Sequence, residues 1–211
     1  MTLAEKYRPK MLAEVVGQEK AVRVLSRIAP RFGGRAFYLQ GKSGQGKTTI
    51  ARIIAREVAD PKYGTWEKTG RELTVADLKD FRDRWSQKSW LTDGYALIVN
   101  ESHGMNRPVI EVFLDILEGL PENAIVIFTT TIDGAELFEE HIDAGPFASR
   151  CIKLALTSQG FCIAAAKRLK QIAQAEGCDG QPESAYVALM RDNGSNMRAA
   201  LNAIETGEMI P

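Results

Sequence analysis

The run Gly41-Lys42-Ser43-Gly44-Gln45-Gly46-Lys47-Thr48 has the residue types and spacing of a phosphate-binding loop. Glycine lets a backbone turn tightly and come close to a ligand. Successive amide N–H groups, followed by the start of a helix, then converge on one place and suit the oxygens of a polyphosphate. Lys47 is expected to reach the terminal phosphates, and the Thr48 hydroxyl to sit on Mg²⁺. The ligand implied is a nucleoside triphosphate. Further candidates lie downstream, where Asn100 and Glu101 follow the apolar run Tyr95 to Val99. Glu101 can align an attacking water or accept its proton. Asn100 stands where a metal-orienting acid is expected, and its amide can hold a metal-bound water but brings no charge to the cation. Thr129, Thr130 and Thr131 close another apolar run. A hydroxyl there could hold the water or sense the outermost phosphate, although threonine also favours strands for steric reasons alone. An adenine ring needs an apolar slot, and Tyr7, Val15 and Val16 are the candidates for it.

These groups need elements to carry them. Ala36 to Gln40 reads as a strand entering the loop, and Thr49 to Val58 as the helix behind it. Before them, a polar arm containing Pro9 leads into a helix from Glu19 to about Ile28, with Val22, Leu25 and Ile28 on one face. Residues 60–73 are rich in Gly, Pro and charge and read as loop. Thr74 and Asp77 form a capping-box pair for a helix whose Val75, Leu78, Phe81 and Trp85 share a face. Trp90, close to Lys88, has no evident place in that pattern. Asn106-Arg107-Pro108 opens the next helix, which Gly119 ends, and Ala124 to Phe128 gives a third apolar strand. Strands alternating with helices predict an α/β sheet with ligands at the carboxyl ends of its strands. Past Leu156 the pattern turns helical, over about 158–175 behind a Thr157 cap, then Pro182 to Met190, then about 196–206. The expected organisation is an α/β nucleotide-binding domain over 1–155 and a small three-helix lid over 156–211, with no further domain after Pro211.

Charge excludes little, because 27 Lys and Arg balance 27 Asp and Glu. Its distribution is uneven: residues 1–56 hold twelve basic and three acidic side chains, whereas 93–145 hold eleven acids and one arginine, Arg107. Such a dipole can orient one copy against another or offer a positive face to nucleic acid; ordinary solvated surface is the plainer account. Cys151, Cys162 and Cys178 are widely spaced, as are His103 and His141, so neither a disulfide scaffold nor a structural zinc is expected. No apolar run has the length of a membrane span and no signal segment begins at Met1, which predicts a soluble intracellular protein, cytoplasmic or, in a eukaryote, nuclear.

Lys6-Tyr7-Arg8-Pro9, Val16-Gly17-Gln18 and the phosphate loop together resemble the opening of AAA+ ATPases of the sliding-clamp loader group, small-subunit type. Asn100-Glu101 stands where that group has its Walker B Asp-Glu, and Leu117 to Asn123 resembles the stretch before its sensor 1 strand. Ser149-Arg150-Cys151 matches its Ser-Arg-Cys motif, and Gly194 to Asn202 its sensor 2 helix. The resemblance covers about residues 4–204. It implies a P-loop AAA+ fold with a central, mostly parallel sheet and a helical lid. It also implies that ATP is bound with Mg²⁺ by Tyr7, Arg8, Pro9, Val15, Val16, Gly41, Ser43 to Thr49 and Arg198, with Thr48 and Asn100 on the metal side. The catalytic set it implies is Lys47, Glu101, Thr130 as sensor, Arg198 from the lid, and Arg150 reaching the ATP of a neighbouring subunit. Expected partners are further copies or clamp-loader-like subunits, DNA and a sliding clamp. Asn100 in place of aspartate predicts weak hydrolysis, and the family's C-terminal collar domain is not expected to follow the lid. The alternatives are an ATP-binding structural or adaptor subunit with little turnover, and a helicase loader or branch-migration motor of the same superfamily.

Overall fold

The computed structural model describes residues 1–87, 90–131 and 145–210. Lys88, His141 and the acids between 133 and 143 lie outside the described residues. Five strands form one sheet: β1 (Arg35–Gln40), β2 (Thr65–Thr69), β3 (Tyr95–Asn100), β4 (Ala124–Thr130) and β5 (Cys151–Ala155), in the order β2-β3-β4-β1-β5. Every pairing is parallel, and the register sets Gln40 beside Thr130 and Ala155, and Thr69 beside Asn100. The ends that carry the candidate chemistry therefore share one edge of the sheet.

A parallel sheet covered on both faces needs strands apolar at successive positions. Phe37, Leu39, Ile98, Ile125 and Ile127 point to one face, where they meet Leu25 of α2 (Glu19–Ile28) and Ile50 and Ile54 of α3 (Lys47–Arg56). Tyr38, Leu97, Val99, Val126 and Phe128 point to the other. There they meet Leu78, Phe81 and Trp85 of α4 (Val75–Trp85) and Phe113 and Ile116 of α5 (Arg107–Glu118). The stripe of α2 is Ala21, Val24, Leu25 and Ile28, turned slightly from the expected Val22 face. The Thr74–Asp77 box closes as expected: Asp77 N donates to Thr74 Oγ1 at 3.2 Å and Thr74 N to Asp77 Oδ2 at 2.9 Å. Trp90 stands fully exposed beyond α4.

One expectation is corrected at the sheet edge. Thr65–Thr69, read as loop, is strand β2. An edge strand can be polar because only one side of it is paired. Trp66 packs on Phe81 and Tyr95, with ring centroids 5.3 and 5.9 Å apart, while Glu67 points to the opposite face.

The chain continues from α6 (Gly145–Ser149) through β5 into three helices, α7 (Phe161–Ala175), α8 (Glu183–Asp192) and α9 (Met197–Glu205). Their core includes Phe161, Leu169, Tyr186 and Ile204, and it also takes in Leu3 from the short N-terminal helix α1 (Leu3–Lys6). Thr157 does not cap α7, which begins behind Gly160. The Thr157 backbone is already held by Gln18, whose Oε1 accepts from Thr157 N at 2.9 Å and whose Nε2 donates to Thr157 O at 3.1 Å. Among the described residues no helix is long and apolar enough to cross a membrane.

Candidate functional site

The phosphate loop leaves β1 at Gln40 and ends in the first turn of α3. Gly44 and Gly46 have φ of 74° and 94°, a region L side chains rarely adopt. Those two turns aim the loop amides and the α3 N-terminus, with its partial positive charge, into a cleft. Lys47 is buried and donates to Gly41 O at 2.8 Å and Lys42 O at 2.9 Å. Burial holds its ammonium below the usual lysine value, partly offset by Glu101, and Arg198 lowers it further. An anion arriving here meets a cation held by two neutral carbonyls, which a phosphate oxygen can outcompete.

The cleft between the loop, the N-terminal arm and the lid helices has a volume of about 180 Å³. It is walled by Tyr7, Arg8, Pro9, Val15 and Val16 from the N-terminal arm, by Ser43 to Thr49, by Glu101, and by Phe161, Met197, Arg198 and Leu201 from the lid helices. The arm is tied in place at both ends. Arg8 Nη1 donates to Thr49 Oγ1 at 3.2 Å, and its guanidinium also pairs with Glu5. The Tyr7 hydroxyl donates to Glu176, which caps the C-terminus of α7 and which Lys6 also reaches at 2.6 Å. The lid is docked on the loop: Met197 N donates to Gly44 O at 3.3 Å, and Gln45 Nε2 donates to Ser158 Oγ at 2.7 Å. Asn196 caps α9 through Arg198 N and Ala199 N at 3.1 and 3.2 Å, which aims the start of that helix at the cleft.

At the ends of β3 and β4 the side chains form one connected set. Thr48 Oγ1 and Thr129 Oγ1 each donate to Asn100 Oδ1 at 3.0 Å. Asn100 Nδ2 donates to Glu67 Oε1 at 2.7 Å. Glu101 sits in the left-handed region at φ 49°, where its carboxylate lines the cleft and lies 3.5 Å from His103 Nε2. Gly70 packs against the carbonyl of that turn so closely that an added Cβ would stand 2.6 Å from Glu101 O. His103 Nδ1 is 3.0 Å from Thr130 Oγ1.

Four of the candidate residues lie off the cleft wall. Gly41 sits beneath it, accepting from Lys47. Asn100 is behind Thr48. Thr130 is fully buried and reaches Glu101 only through His103, because successive strand residues face opposite ways and its neighbour Thr129 takes the Asn100 side. Arg150 lies in the turn between α6 and β5, donating to Pro146 O at 2.6 Å and pairing with Glu118. Its neighbour Cys151 packs against the sheet core, and burial pushes its thiol up to about 12. Glu67 and His103 were not among the candidates read from the sequence, and Thr129 was named with its neighbours but passed over for Thr130. His103, two positions past Glu101, was the one with a visible signal.

The family profile for the ATPase family associated with various cellular activities (AAA) matches residues 37–175. The chain is 32% identical to the DNA polymerase III subunit gamma/tau of Mycobacterium bovis over 157 residues, which is 62% of this chain and 27% of that one. It is 25% identical to replication factor C subunit 3 of Oryza sativa over 225 residues, covering 97% of this chain and 56% of that one. Among solved structures, the Thermotoga maritima RuvB Holliday junction branch migration motor shares the fold, with a TM-score of 0.69 at 22% identity over 94% of this chain and 64% of that one. The chain thus spans only part of each relative's length. The profile takes in the phosphate loop, Asn100-Glu101 and most of the sheet, and the chain belongs to the AAA family of ATPases, as a domain related to clamp-loader and branch-migration proteins.

Proposed function

We propose that the cleft binds ATP with Mg²⁺, hydrolyses it slowly, and couples the cycle to assembly with other subunits on DNA in the manner of a clamp loader. The observation that carries this is the convergence of Lys47, Glu101 and Arg198 on one cleft between the phosphate loop and the lid. In the proposed cycle Lys47 exchanges its two carbonyl partners for phosphate oxygens. Arg198, whose guanidinium has no hydrogen-bond partner among the described residues, closes on the same phosphates from the lid. Glu101 orients the attacking water, and His103 steadies Glu101. The adjacent hydroxyl of Thr48 and carbonyl of Asn100 are hard oxygen ligands of the kind Mg²⁺ takes. When bound there, the cation neutralises phosphate charge.

The tyrosine, arginine and valines of the N-terminal arm suit a nucleobase, and their ties to Glu176 and Thr49 link base binding to lid position. Arg150 fits a role in trans, because it lies off its own cleft at an exposed turn and can trade Glu118 for the phosphates of a neighbour. Partners on this reading are further copies or related subunits, DNA and a sliding clamp. A branch-migration motor is the second reading, favoured by a 35% identity over 124 residues to a RuvB subunit of Nocardioides. A nearly inactive adaptor is the third, favoured by Asn100. Phosphate release measured with and without primed DNA and with a four-way junction separates the three. Stimulation by primed DNA supports the first, stimulation by the junction the second, and no turnover with either the third.

A further inference from the structure

Asn100 presents two chemically different ends to its surroundings. The hydroxyls of Thr48 and Thr129 lie 3.0 Å from one end, and the Glu67 carboxylate lies 2.7 Å from the other. A hydroxyl can donate or accept, but an ionised carboxylate only accepts. The amide NH₂ must therefore face Glu67, and the carbonyl must face Thr48 and the phosphate loop. Glu67 is itself held still. Arg52 Nε donates to its Oε2 at 2.8 Å and Arg52 Nη2 to its Oε1 at 3.1 Å, a two-pronged pair with directional as well as electrostatic preference. Arg52 stands one helical turn beyond Thr48 on α3, and Glu67 stands on β2, two residues before the register partner of Asn100. The chain Arg52–Glu67–Asn100–Thr48 thus ties the sheet edge to the phosphate loop.

We propose that Glu67 is a positioning residue for the Mg²⁺–nucleotide site, fixing the Asn100 amide with its carbonyl toward Thr48. An aspartate at this position would need no such partner, because its two oxygens are equivalent. An amide needs one, because turned over it offers N–H groups to the Thr48 hydroxyl and to a cation. The polar edge strand supplies that partner. The proposal rests on the nucleotide-binding reading above.

The test measures how strongly Mg²⁺ enhances affinity for a non-hydrolysable ATP analogue, by calorimetric titration with and without the metal. Glu67→Met keeps the bulk and removes the acceptor, so the enhancement should fall about tenfold while affinity without Mg²⁺ is unchanged. Glu67→Gln retains an acceptor carbonyl and should keep most of it. In the Asn100→Asp background, where a second carboxylate would face Glu67 in place of the amide, Glu67→Met should not lower the enhancement. If Glu67 is only a strut between β2 and α3, Glu67→Met lowers the enhancement equally in both backgrounds or fails to fold where Glu67→Gln folds, and either result overturns the proposal. An unchanged enhancement in Glu67→Met overturns it too, as does a wild-type protein that binds the analogue without any help from Mg²⁺. A wild-type protein that binds no nucleotide overturns the underlying reading instead.

Discussion

Substituting Gly44 by alanine tests whether the lid and the phosphate loop act as one unit. An added Cβ would stand 1.9 Å from Asn196 Oδ1, 2.3 Å from its Cγ and 2.8 Å from its Cα. The last of these is backbone of the α9 cap, so rotating the Asn196 side chain cannot relieve the clash. A non-glycine residue at φ 74° adds strain of about 1 kcal/mol. Displacing Asn196 removes a cap on Arg198 N and Ala199 N worth about another 1 kcal/mol. The sum, roughly 2 kcal/mol, corresponds to about a thirtyfold shift toward an undocked lid. The sheet core lies away from this contact and should be untouched. Hydrogen exchange with mass readout is the assay, comparing peptides over 194–200 with peptides over 124–130. The expected result is faster exchange in the first and none in the second. Equal protection of 194–200 in the two proteins would refute the reasoning that Gly44 is small in order to seat the lid.

Arg150→Ala should bind ATP as wild type does and lose the part of turnover that rises with protein concentration. Mixing it with Glu101→Gln should restore activity above the sum of the two alone, because the second chain can lend Arg150 to the intact site of the first; a merely additive mixture on primed DNA excludes a trans role. The Cys151 thiol, held near 12, should resist iodoacetamide at pH 8 in the native protein while Cys162 and Cys178 react, as read by peptide mass mapping. Lys68, then the Thr74 backbone and hydroxyl, hold the Asp77 carboxyl below its ordinary 3.8. A depressed carboxylate stabilises the fold above its unfolded value and loses that contribution as pH falls through the folded one. The melting difference between wild type and Asp77→Asn should therefore be present at pH 7 and shrink as the pH falls below 3.8; a gap that does not shrink on acidification contradicts the assignment.

The phosphate loop was legible because its chemistry is contiguous: eight residues in a row carry the glycines, the lysine and the hydroxyl. β1, β3 and β4 were legible because burial on both faces demands unbroken apolar runs. β2 was not, since an edge strand carrying Glu67 and Lys68 has the composition of a loop and is defined by its pairing with β3. The start of α7 was misplaced for a similar reason, because Gln18 and Gln45 hold residues 157–158 from far away in the chain. Thr130 was chosen over Thr129 without knowledge of which face each would take, and one residue of register decides that. The partnership of Glu67 with Asn100 spans 33 positions, and no local pattern announces it.

The central claim is that ATP is bound and turned over in the cleft formed by the phosphate loop, Glu101 and the lid. Calorimetric titration with ATP and Mg²⁺, paired with phosphate release on the same samples, tests it most directly across wild type, Lys47→Ala and Glu101→Gln. Lys47→Ala should lose about tenfold or more in affinity, since the buried ammonium is the charge that phosphate oxygens displace from two carbonyls. Glu101→Gln should bind as wild type does and release no phosphate. Wild-type affinity in Lys47→Ala, or undiminished turnover in Glu101→Gln, would contradict the account.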